Sequence, residues 1–379
     1  MKRNSENLIH YGFIRGKDYA SDVTRPEGIE EIDCGLGHSP FGFPEVAREA
    51  LKNIDPRLLN EYPADPYSDA LAANVRRRFG LEKKAGVFFD GAGSYGLLAT
   101  ILSNLVANEG VRRGSRVIGV GPQFTNIAML AHRAEVPYQP LTPDLNLPYE
   151  EKLDLLVANR EKDRQAAIVY VDNPNNPTGA AVGIDKIVDL AEATANGDLL
   201  IVDEAYGDAV PDSWSAFNIL ESYPHIIVVR SLSKTIGLAS PRLGYVGMSE
   251  PVADVYREMR LVFTVDALTY LIAHKVMEPE VLAEFLPRVR QMTMEKKLEF
   301  LDILAKNGVN VFESMDTVSI LLAEGGDNFY EKLFALGINT EDGATFEPTH
   351  PEMNNSMVRF RIPADSRKIQ EVGKRLKNI

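Results

Sequence analysis

The sequence has a single cysteine, Cys34, among its 379 residues. One thiol cannot form a disulfide within a chain, and without a cluster of cysteine and histidine a structural zinc site has no ligand set. The six histidines are scattered and form no H-x-x-x-H or H-E-x-x-H pattern. We therefore expect neither a disulfide-stapled fold nor a metal site, and Cys34 is expected to be a structural thiol.

Long apolar runs and positive charge are also scarce. No uncharged stretch reaches the length of about 20 residues that a membrane-spanning helix needs, and no apolar signal region follows Met1 to Asn7. Lysine and arginine total 41 against 54 aspartate and glutamate, which gives a net charge of -13. A negative field disfavours nucleic acid and anionic membrane as partners. We expect a cytoplasmic protein that acts on small molecules.

Between about residues 85 and 250, short β-rich runs alternate with helical patterns. This alternation predicts a mostly parallel sheet covered on both faces by helices. Ligands of such sheets bind beyond the carboxyl ends of the strands. Five residues that could bind or react with a ligand fall at such positions: Gly93, Phe124, Asn176, Asp203 and Lys234.

Lys234 closes the motif Ser-Leu-Ser-Lys that begins at Ser231, directly after an apolar run at 226–229. A lysine becomes a Schiff-base nucleophile where burial or a neighbouring cation keeps part of it neutral, and a strand-end loop of small hydroxyl residues suits that need. By itself the motif is more typical of a solvated turn. Two upstream motifs favour the catalytic interpretation.

The first upstream motif is Asn-Pro-Asn-Asn-Pro-Thr-Gly at residues 173–179. Its two X-Pro bonds force extended backbone and Gly179 permits an unusual turn, so Asn176 is presented rigidly at the end of a strand. An ordinary turn accounts for one Asn-Pro pair but not easily for two in tandem. An amide fixed there can donate a hydrogen bond to a phenolate oxygen.

The second is Asp203, which closes a buried run and is followed by Tyr206. An acid in this place, beside a pyridine nitrogen, would keep that nitrogen protonated. The alternative is an acid that caps the next helix. Asp203 by itself fits either interpretation.

The segment Gly-Ala-Gly-Ser-Tyr-Gly at 91–96 precedes a helical pattern and offers backbone N–H groups to an anion. It also spells the dinucleotide fingerprint G-x-G-x-x-G. The dinucleotide-binding fold has an acidic residue at the end of the next strand, but Glu109 precedes the strand at 116–120. An NAD-dependent dehydrogenase is therefore kept only as a distant alternative.

In chain order, Asn176, Asp203, Tyr206, Lys234 and Arg242 resemble the motif set of the fold-type I aminotransferases of class I/II, which use pyridoxal 5'-phosphate (PLP). The set looks most like the histidinol-phosphate aminotransferase branch. The resemblance implies an α/β fold with a large domain, whose mostly parallel sheet is of the seven-stranded type, and a smaller α+β domain. We expect an N-terminal segment at 1–60 that joins the small domain, the PLP-binding domain at 61–270 and the small domain at 271–379.

Residue by residue, the resemblance implies that Lys234 forms the internal aldimine and moves the proton between the substrate Cα and cofactor C4′. Asp203 would pair with the pyridine nitrogen, while Asn176 and Tyr206 would hold the ring oxygen. The cofactor phosphate would be bound by Gly93, Ser94, Ser231, Ser233 and Arg242. A planar guanidinium suits phosphate because it can donate two parallel hydrogen bonds.

Two aromatic residues take their roles from the same resemblance. Phe124 lies where the family places an aromatic that stacks on the pyridine ring, often a tyrosine, although a core phenylalanine is an equal alternative. Tyr62 matches a tyrosine that reaches the phosphate of the neighbouring subunit's cofactor. If so, the enzyme is a homodimer.

Residues 356–363 alternate as a strand, which puts Arg359 and Arg361 on one face. Aligned with the family pattern Arg-apolar-x-apolar-Gly, Arg359 is expected to bind the substrate α-carboxylate, with Arg361 as the alternative two residues on. A pair of solvated strand arginines would look the same in sequence. His10 and His38 are further candidates for substrate contacts.

The sequence thus predicts an aminotransferase that moves the amino group of an α-amino acid or related amine to a 2-oxo acid by a ping-pong mechanism. A decarboxylase, a racemase, a β-eliminating lyase or an oxidase would use the same residues. Three departures from the family keep those options open: Phe124, the Ser-Pro pair before Arg242, and a segment at 34–43 without the usual Asn-Pro. A catalytically idle regulator has little support.

Overall fold

The computed structural model describes residues 28–60, 62, 66–82, 85–105, 116–163, 165–195 and 197–379. His10 and Glu109, together with the first 27 residues of the expected N-terminal segment, lie outside the described residues. Within these ranges, no helix has both the length and the apolar composition needed to cross a membrane.

The described chain alternates strands and helices up to about residue 250 and then becomes mainly helical before a second group of strands. In chain order the elements are β1 (Ile32–Asp33), α1 (Glu45–Lys52), α2 (Pro66–Phe79), β2 (Gly86–Gly91), α3 (Gly93–Thr100), β3 (Arg116–Ile118), α4 (Asn126–Arg133), α5 (Tyr149–Lys162), β4 (Ala167–Asp172), α6 (Ile184–Thr194), β5 (Leu199–Glu204), β6 (Ile226–Ser231), β7 (Leu243–Met248), α7 (Glu250–Met259), α8 (Ala267–Val276), α9 (Pro279–Lys306), β8 (Asn310–Val311), β9 (Ile320–Glu324), α10 (Phe329–Ala335), β10 (Ile338–Asn339), β11 (Glu341–Asp342), β12 (Met357–Arg361) and α11 (Ser366–Leu376). Short 3₁₀ turns lie at Pro56–Asn60, Gly207–Ala209, Asp212–Trp214, Ala216–Ile219 and Gly343–Phe346, and α3 continues into a π-helical turn at Ile101–Leu105.

The main sheet has the strand order β2-β7-β6-β5-β4-β3 within the described residues. Strands β3 to β6 are parallel, as the alternation predicts, whereas β7 runs antiparallel to both of its neighbours. The sheet is therefore mixed, with six described strands where a seven-stranded type is expected. Strands β4, β6 and β7 are buried along their whole length, which explains why they are continuous apolar runs rather than alternating patterns.

Helices cover both faces of this sheet and form two hydrophobic cores. On one face, Leu97 of α3, Ile127 of α4 and Tyr256 of α7 pack together. On the other face, the core includes residues of α2, α5, α6 and α8. Both cores hold the strands in place, so that the carboxyl ends of β4, β5 and β6 open at one edge.

A second, antiparallel sheet has the order β11-β12-β9-β8. It packs with α9, α10 and α11 around a core that contains Phe300, Leu333, Phe360 and Ile369. Strand β1 pairs in parallel with β10, so the chain near residue 32 lies against this smaller unit. The domain boundaries at residues 60 and 270 stay predictions.

Candidate active site

A cavity of about 460 Å³ lies beyond the carboxyl ends of the main-sheet strands. Most of the residues singled out from the sequence line it: Ser94, Phe124, Asn176, Asp203, Tyr206, Ser231, Ser233, Lys234, Arg242 and Arg359. They come from both sheets and from the loops between them. Gly93 borders the same space, whereas Tyr62 is not among the lining residues.

One end of the cavity is built to hold an anion. Arg242 Nη1 donates to Ser233 Oγ at 3.3 Å, and the Ser233 N–H donates to Ser231 Oγ at 3.2 Å. Helix α3 begins at Gly93 with a positive φ of 66°, and a Cβ at that position would lie 3.2 Å from Arg242 Nη2. A guanidinium, two hydroxyls and a helix N-terminus therefore converge on one point, which is the combination that binds phosphate.

Asp203 lies on the floor of the cavity, and its carboxylate is almost completely buried. The hydroxyl of Tyr170 donates to Oδ2 at 2.9 Å, and the N–H of Ala205 donates to Oδ1 at 2.9 Å. Burial raises the pKa of Asp203 to about 6, although both hydrogen bonds favour the charged form. The bond from Ala205 is a local turn contact and not a helix cap, because the next helical turn, Gly207–Ala209, follows Tyr206 and has no side-chain cap. The Asp203 side chain lines the cavity.

The amino group of Lys234 lies 5.1 Å from the centre of the Tyr206 ring. The Tyr206 hydroxyl in turn donates to the carbonyl of Gly37 at 3.4 Å. A Cβ at Gly37 would lie only 2.1 Å from that hydroxyl and 3.3 Å from Lys234 Nζ. Gly37 is thus required for space beside the lysine, a role that sequence reasoning missed, although the Gly-Leu-Gly at 35–37 is a visible signal.

Asp172 is a second cavity residue that sequence reasoning missed. Its Oδ2 accepts hydrogen bonds from the backbone N–H groups of Phe124, at 2.9 Å, and Asn176, at 3.0 Å. Its Oδ1 accepts from Asn175 Nδ2 at 2.9 Å. Burial raises the pKa of Asp172 to about 7. The Asp172 carboxylate therefore connects two chain segments that line the site. Like Asp203, Asp172 stands at the end of an apolar run, and this position could have identified it as a site residue from the sequence.

The two arginines of β12 have different environments. Arg359 lines the cavity, and its Nη1 donates to Asn176 Oδ1 at 3.0 Å while its Nη2 donates to the carbonyl of Gly35 at 2.8 Å. Arg361 Nη2 instead donates to both the carbonyl and the carboxylate of Asp33, at 2.6 Å each. Neither arginine is solvated, because they are 4% and 6% exposed. Of the pair, Arg359 is the one placed to meet a ligand.

The remaining candidates differ in position. Phe124 is partly buried and lines the cavity, and His38 lies in the segment that covers it. Burial and the charge of Arg361 lower the pKa of His38. Tyr62 is 83% exposed and its ring lies 5.2 Å from that of Phe263. A contact between Tyr62 and a neighbouring subunit's cofactor stays a prediction.

No group of three or more histidine, cysteine, aspartate or glutamate side chains in the described part of the chain could hold a metal ion. The cavity does fit PLP by its donor set: an anion site at one end, a buried carboxylate on the floor, and an amide and a phenol beside a lysine. These features define a PLP-dependent enzyme with the fold-type I architecture. Residues 30–372 match the family of aminotransferases of class I and II, and the chain belongs to that family.

Relatives agree with this assignment, which confirms the resemblance seen in the sequence and disfavours the dehydrogenase. Histidinol-phosphate aminotransferase 1 of Ralstonia nicotianae is 29% identical over 337 residues, which cover 87% of this chain and 84% of the relative. The enzyme therefore belongs to a family that acts on amino acid and oxo acid substrates.

Solved structures support the fold. The histidinol-phosphate aminotransferase of Sinorhizobium meliloti, in complex with pyridoxal-5'-phosphate, has a TM-score of 0.72 and 21% identity, covering 92% of this chain and 91% of that one. The L-threonine-O-3-phosphate decarboxylase of Porphyromonas gingivalis has a TM-score of 0.73 and 16% identity, covering 92% and 98%. Because one relative is named a transferase and the other a decarboxylase, the fold alone does not choose the reaction.

Proposed function

We propose that this enzyme transfers the amino group of an α-amino acid to a 2-oxo acid in two half-reactions, with Lys234 as the residue that holds PLP and moves the substrate proton. The observation that carries the proposal is the convergence of Lys234, Asp203 and Arg359 on one cavity. When bound, PLP supplies the electron sink for the carbanion formed at the substrate Cα. The protein supplies orientation, proton transfer and charge.

The anion site fixes one end of the cofactor. Arg242 contributes a charged donor fork, and Ser94, Ser231 and Ser233 contribute hydroxyls around it. The N-terminus of α3, starting at Gly93, adds backbone donors and the positive end of the helix dipole. These residues would hold the phosphate of PLP in the cavity that Lys234 also lines, where the lysine could bind the cofactor's aldehyde.

Asp203 fixes the ring from the floor of the cavity. Its carboxylate is held in place by Tyr170 and Ala205, so it can stabilise a protonated ring nitrogen without reorganisation. Asn176 and Tyr206 line the same cavity, and their amide and phenol would hold the ring oxygen. The ring of Phe124 also lines the cavity, and the Phe124 backbone N–H donates to Asp172.

Arg359 is the proposed partner of the substrate carboxylate. It is nearly buried, and its contacts with Asn176 and Gly35 hold the guanidinium in one orientation. A fixed guanidinium that binds a carboxylate in two parallel hydrogen bonds orients the substrate Cα toward Lys234. The bond broken at Cα depends on this pose.

The amine of Lys234 is placed to carry the proton. It lies beside the Tyr206 ring and close to Gly37, in the segment at 36–38 that lines the cavity. Because Gly37 has no side chain, the lysine keeps the room that it needs to move between the cofactor and the substrate Cα. Proton transfer by a positioned lysine is general base and then general acid catalysis.

A second copy of the chain is the proposed partner. Leu59, Tyr62, Leu261, Val262 and Phe263 are all exposed large apolar side chains. The next residue, Thr264, accepts a hydrogen bond from the N–H of Gly91 at the start of the anion site. A dimer that covers this apolar surface would bring Tyr62 of each subunit to the other's phosphate. We also propose that the enzyme is cytoplasmic.

The test is a spectroscopic half-reaction. Purified protein with PLP should show a visible band that borohydride bleaches, and Lys234→Ala should lack it. Single amino acids are then added in turn, and the products are analysed. Conversion of the cofactor to its amine form with release of a keto acid supports the proposal, whereas release of carbon dioxide, ammonia or peroxide would overturn it in favour of a decarboxylase, lyase or oxidase.

A further inference from the structure

Glu341 is a largely buried carboxylate that faces Arg359 directly. The two residues are opposite each other on the neighbouring antiparallel strands β11 and β12. Glu341 Oε2 lies 3.3 Å from Arg359 Nη2, and the side chains are 15% and 5% exposed. The hydroxyl of Thr345 donates to the other carboxylate oxygen at 3.3 Å. The guanidinium that lines the cavity therefore already has a carboxylate of the protein as a neighbour.

We propose that Glu341 is an internal competitor that sets the affinity of Arg359 for the substrate carboxylate and takes up a proton when that carboxylate binds. The inference rests on the proposed function, because it requires Arg359 to be the carboxylate-binding residue. Glu341 does not line the cavity itself. It acts through Arg359 and is a positioning and charge-regulating residue.

Four charged or titratable groups face Glu341 from the elements around it. Arg359 on β12 and Lys234 in the cavity lower its pKa, while the neighbouring Asp342 raises it. The pKa of Tyr330 in α10 is raised by burial and by the charges of Asp342 and Glu341. The net result for Glu341 is a raised pKa, with burial as the largest cause.

Binding of a carboxylate at Arg359 changes this balance. The substrate's negative charge offsets the positive charge that favours ionised Glu341, and it adds a like charge near it. The pKa of Glu341 then rises further, and the carboxyl takes up a proton from solvent. Because the bound state holds more protons than the free state, affinity for the carboxylate must fall as the pH rises.

The test uses Glu341→Gln, which keeps the shape of the side chain and an acceptor oxygen for Arg359 but removes the charge. Glu347→Gln is the matched control, because Glu347 is exposed and follows the 3₁₀ turn that begins two residues after Glu341. The dissociation constant of propionate, an unreactive carboxylate, is measured through the visible band of the PLP enzyme from about pH 6.5 to about pH 9. The kcat and KM for the amino acid identified by half-reaction are measured in parallel.

We expect Glu341→Gln to bind propionate roughly tenfold more tightly at about pH 8, to lose less affinity than the wild type as the pH rises, and to change KM more than kcat. Glu347→Gln should match the wild type. Weaker propionate binding in Glu341→Gln would mean that Glu341 only orients Arg359. A pH dependence equal to that of the wild type would mean that Glu341 does not take up a proton when the carboxylate binds. Either result overturns the inference. A missing visible band in the wild type, or unchanged propionate binding in Arg359→Gln, would instead refute the proposed function.

Discussion

Replacing Lys297 tests how the smaller sheet supports the active site. Lys297 lies in the middle of α9 and is completely buried. Its ammonium donates to Ser314 Oγ and to the carbonyls of Met315, Val318 and Ile320, with the three carbonyl distances between 2.7 and 3.0 Å. One amino group thus contacts four oxygen atoms of the loop that leads into β9 and shares its N–H donors among them, and burial lowers the pKa of Lys297 to about 7.

This loop lies under the segment that carries Asn176. The N–H of Met315 donates to the carbonyl of Gly179 at 3.0 Å. Gly179 has a φ of 76°, and a Cβ there would lie 2.4 Å from the carbonyl oxygen of Ile320. The Asn-Pro-rich turn therefore rests on the backbone that Lys297 holds together.

The expected effect of Lys297→Met follows from these contacts. The substitution keeps the apolar stem but removes the donor of the Val318 carbonyl, whereas the carbonyls of Met315 and Ile320 keep hydrogen bonds from the Val318 N–H and the Ser314 hydroxyl. The expected cost is about 2–4 kcal/mol, because an orphaned buried acceptor costs about 1–3 kcal/mol and a lost hydrogen bond whose acceptor keeps another donor costs less. For a chain of this length, an unfolding entropy of about 0.8 kcal/mol/K converts that loss into a fall in Tm of roughly 2.5–5 °C. Affinity for PLP should also fall, because the segment around Asn176 loses its support.

Thermal unfolding with and without PLP, together with a PLP titration, measures both effects. Lys306→Met is the matched control, since Lys306 is the last residue of the same helix and pairs with Asp302 at the surface. An exposed pair contributes less than about 1 kcal/mol, so this variant should lose less than about 1.5 °C. If the Tm values of the two variants agree within about 1 °C, the four-oxygen site does not stabilise the fold and the reasoning is wrong.

Two further substitutions test the floor and the cover of the cavity. Tyr170→Phe removes a hydrogen bond that lowers the pKa of Asp203, so the pH below which PLP affinity falls should move up by roughly one to two units, measured by PLP titration against pH. Gly37→Ala places a Cβ against the Tyr206 hydroxyl and should reduce kcat by about a hundredfold, measured by single-turnover kinetics, while circular dichroism stays unchanged.

Each of these has a control in the chain. Tyr149 is also a buried tyrosine, but its hydroxyl donates to the backbone carbonyl of Asp172 at 2.7 Å, so Tyr149→Phe should leave the pH midpoint of PLP binding in place. Gly183 has no atom within 4 Å of an added Cβ, so Gly183→Ala should keep full activity. An unshifted midpoint in Tyr170→Phe, or an active Gly37→Ala enzyme, would contradict the geometry of the site.

Residues at strand ends could be predicted because one rule places them. Apolar runs locate the parallel strands, and the carboxyl ends of such strands meet at one edge, so Asn176, Asp203 and Lys234 come together from sequence alone. The direction of β7 was not visible, because a run buried on both faces reads the same in either orientation. The family resemblance supplied the chemical roles.

Contacts that depend on long-range register could not be predicted. Glu341 meets Arg359 only because β11 pairs with β12 in one particular register, and a shift by one residue would send the side chain to the other face. Asp172 becomes a junction only because its loop packs beside the N–H of Phe124, 48 residues away in sequence. Sequence periodicity carries no information about such pairs.

The arginines at the two ends of the cavity differ in whether an acidic side chain lies beside them, and this difference favours different anions at the two ends. At the end formed by Arg242, the guanidinium donates to the hydroxyl of Ser233 and to the carbonyls of Ala239 and Ala92, and none of these partners among the described residues is a carboxylate. At the other end, Arg359 lies against Glu341. A phosphate dianion is therefore favoured at the first end, where none of the described hydrogen-bond partners of Arg242 is an acid, whereas the second end favours a single carboxylate. Under the proposed function, the phosphate of the cofactor and the carboxylate of the substrate would bind at these two ends, and Lys234 would act on both molecules.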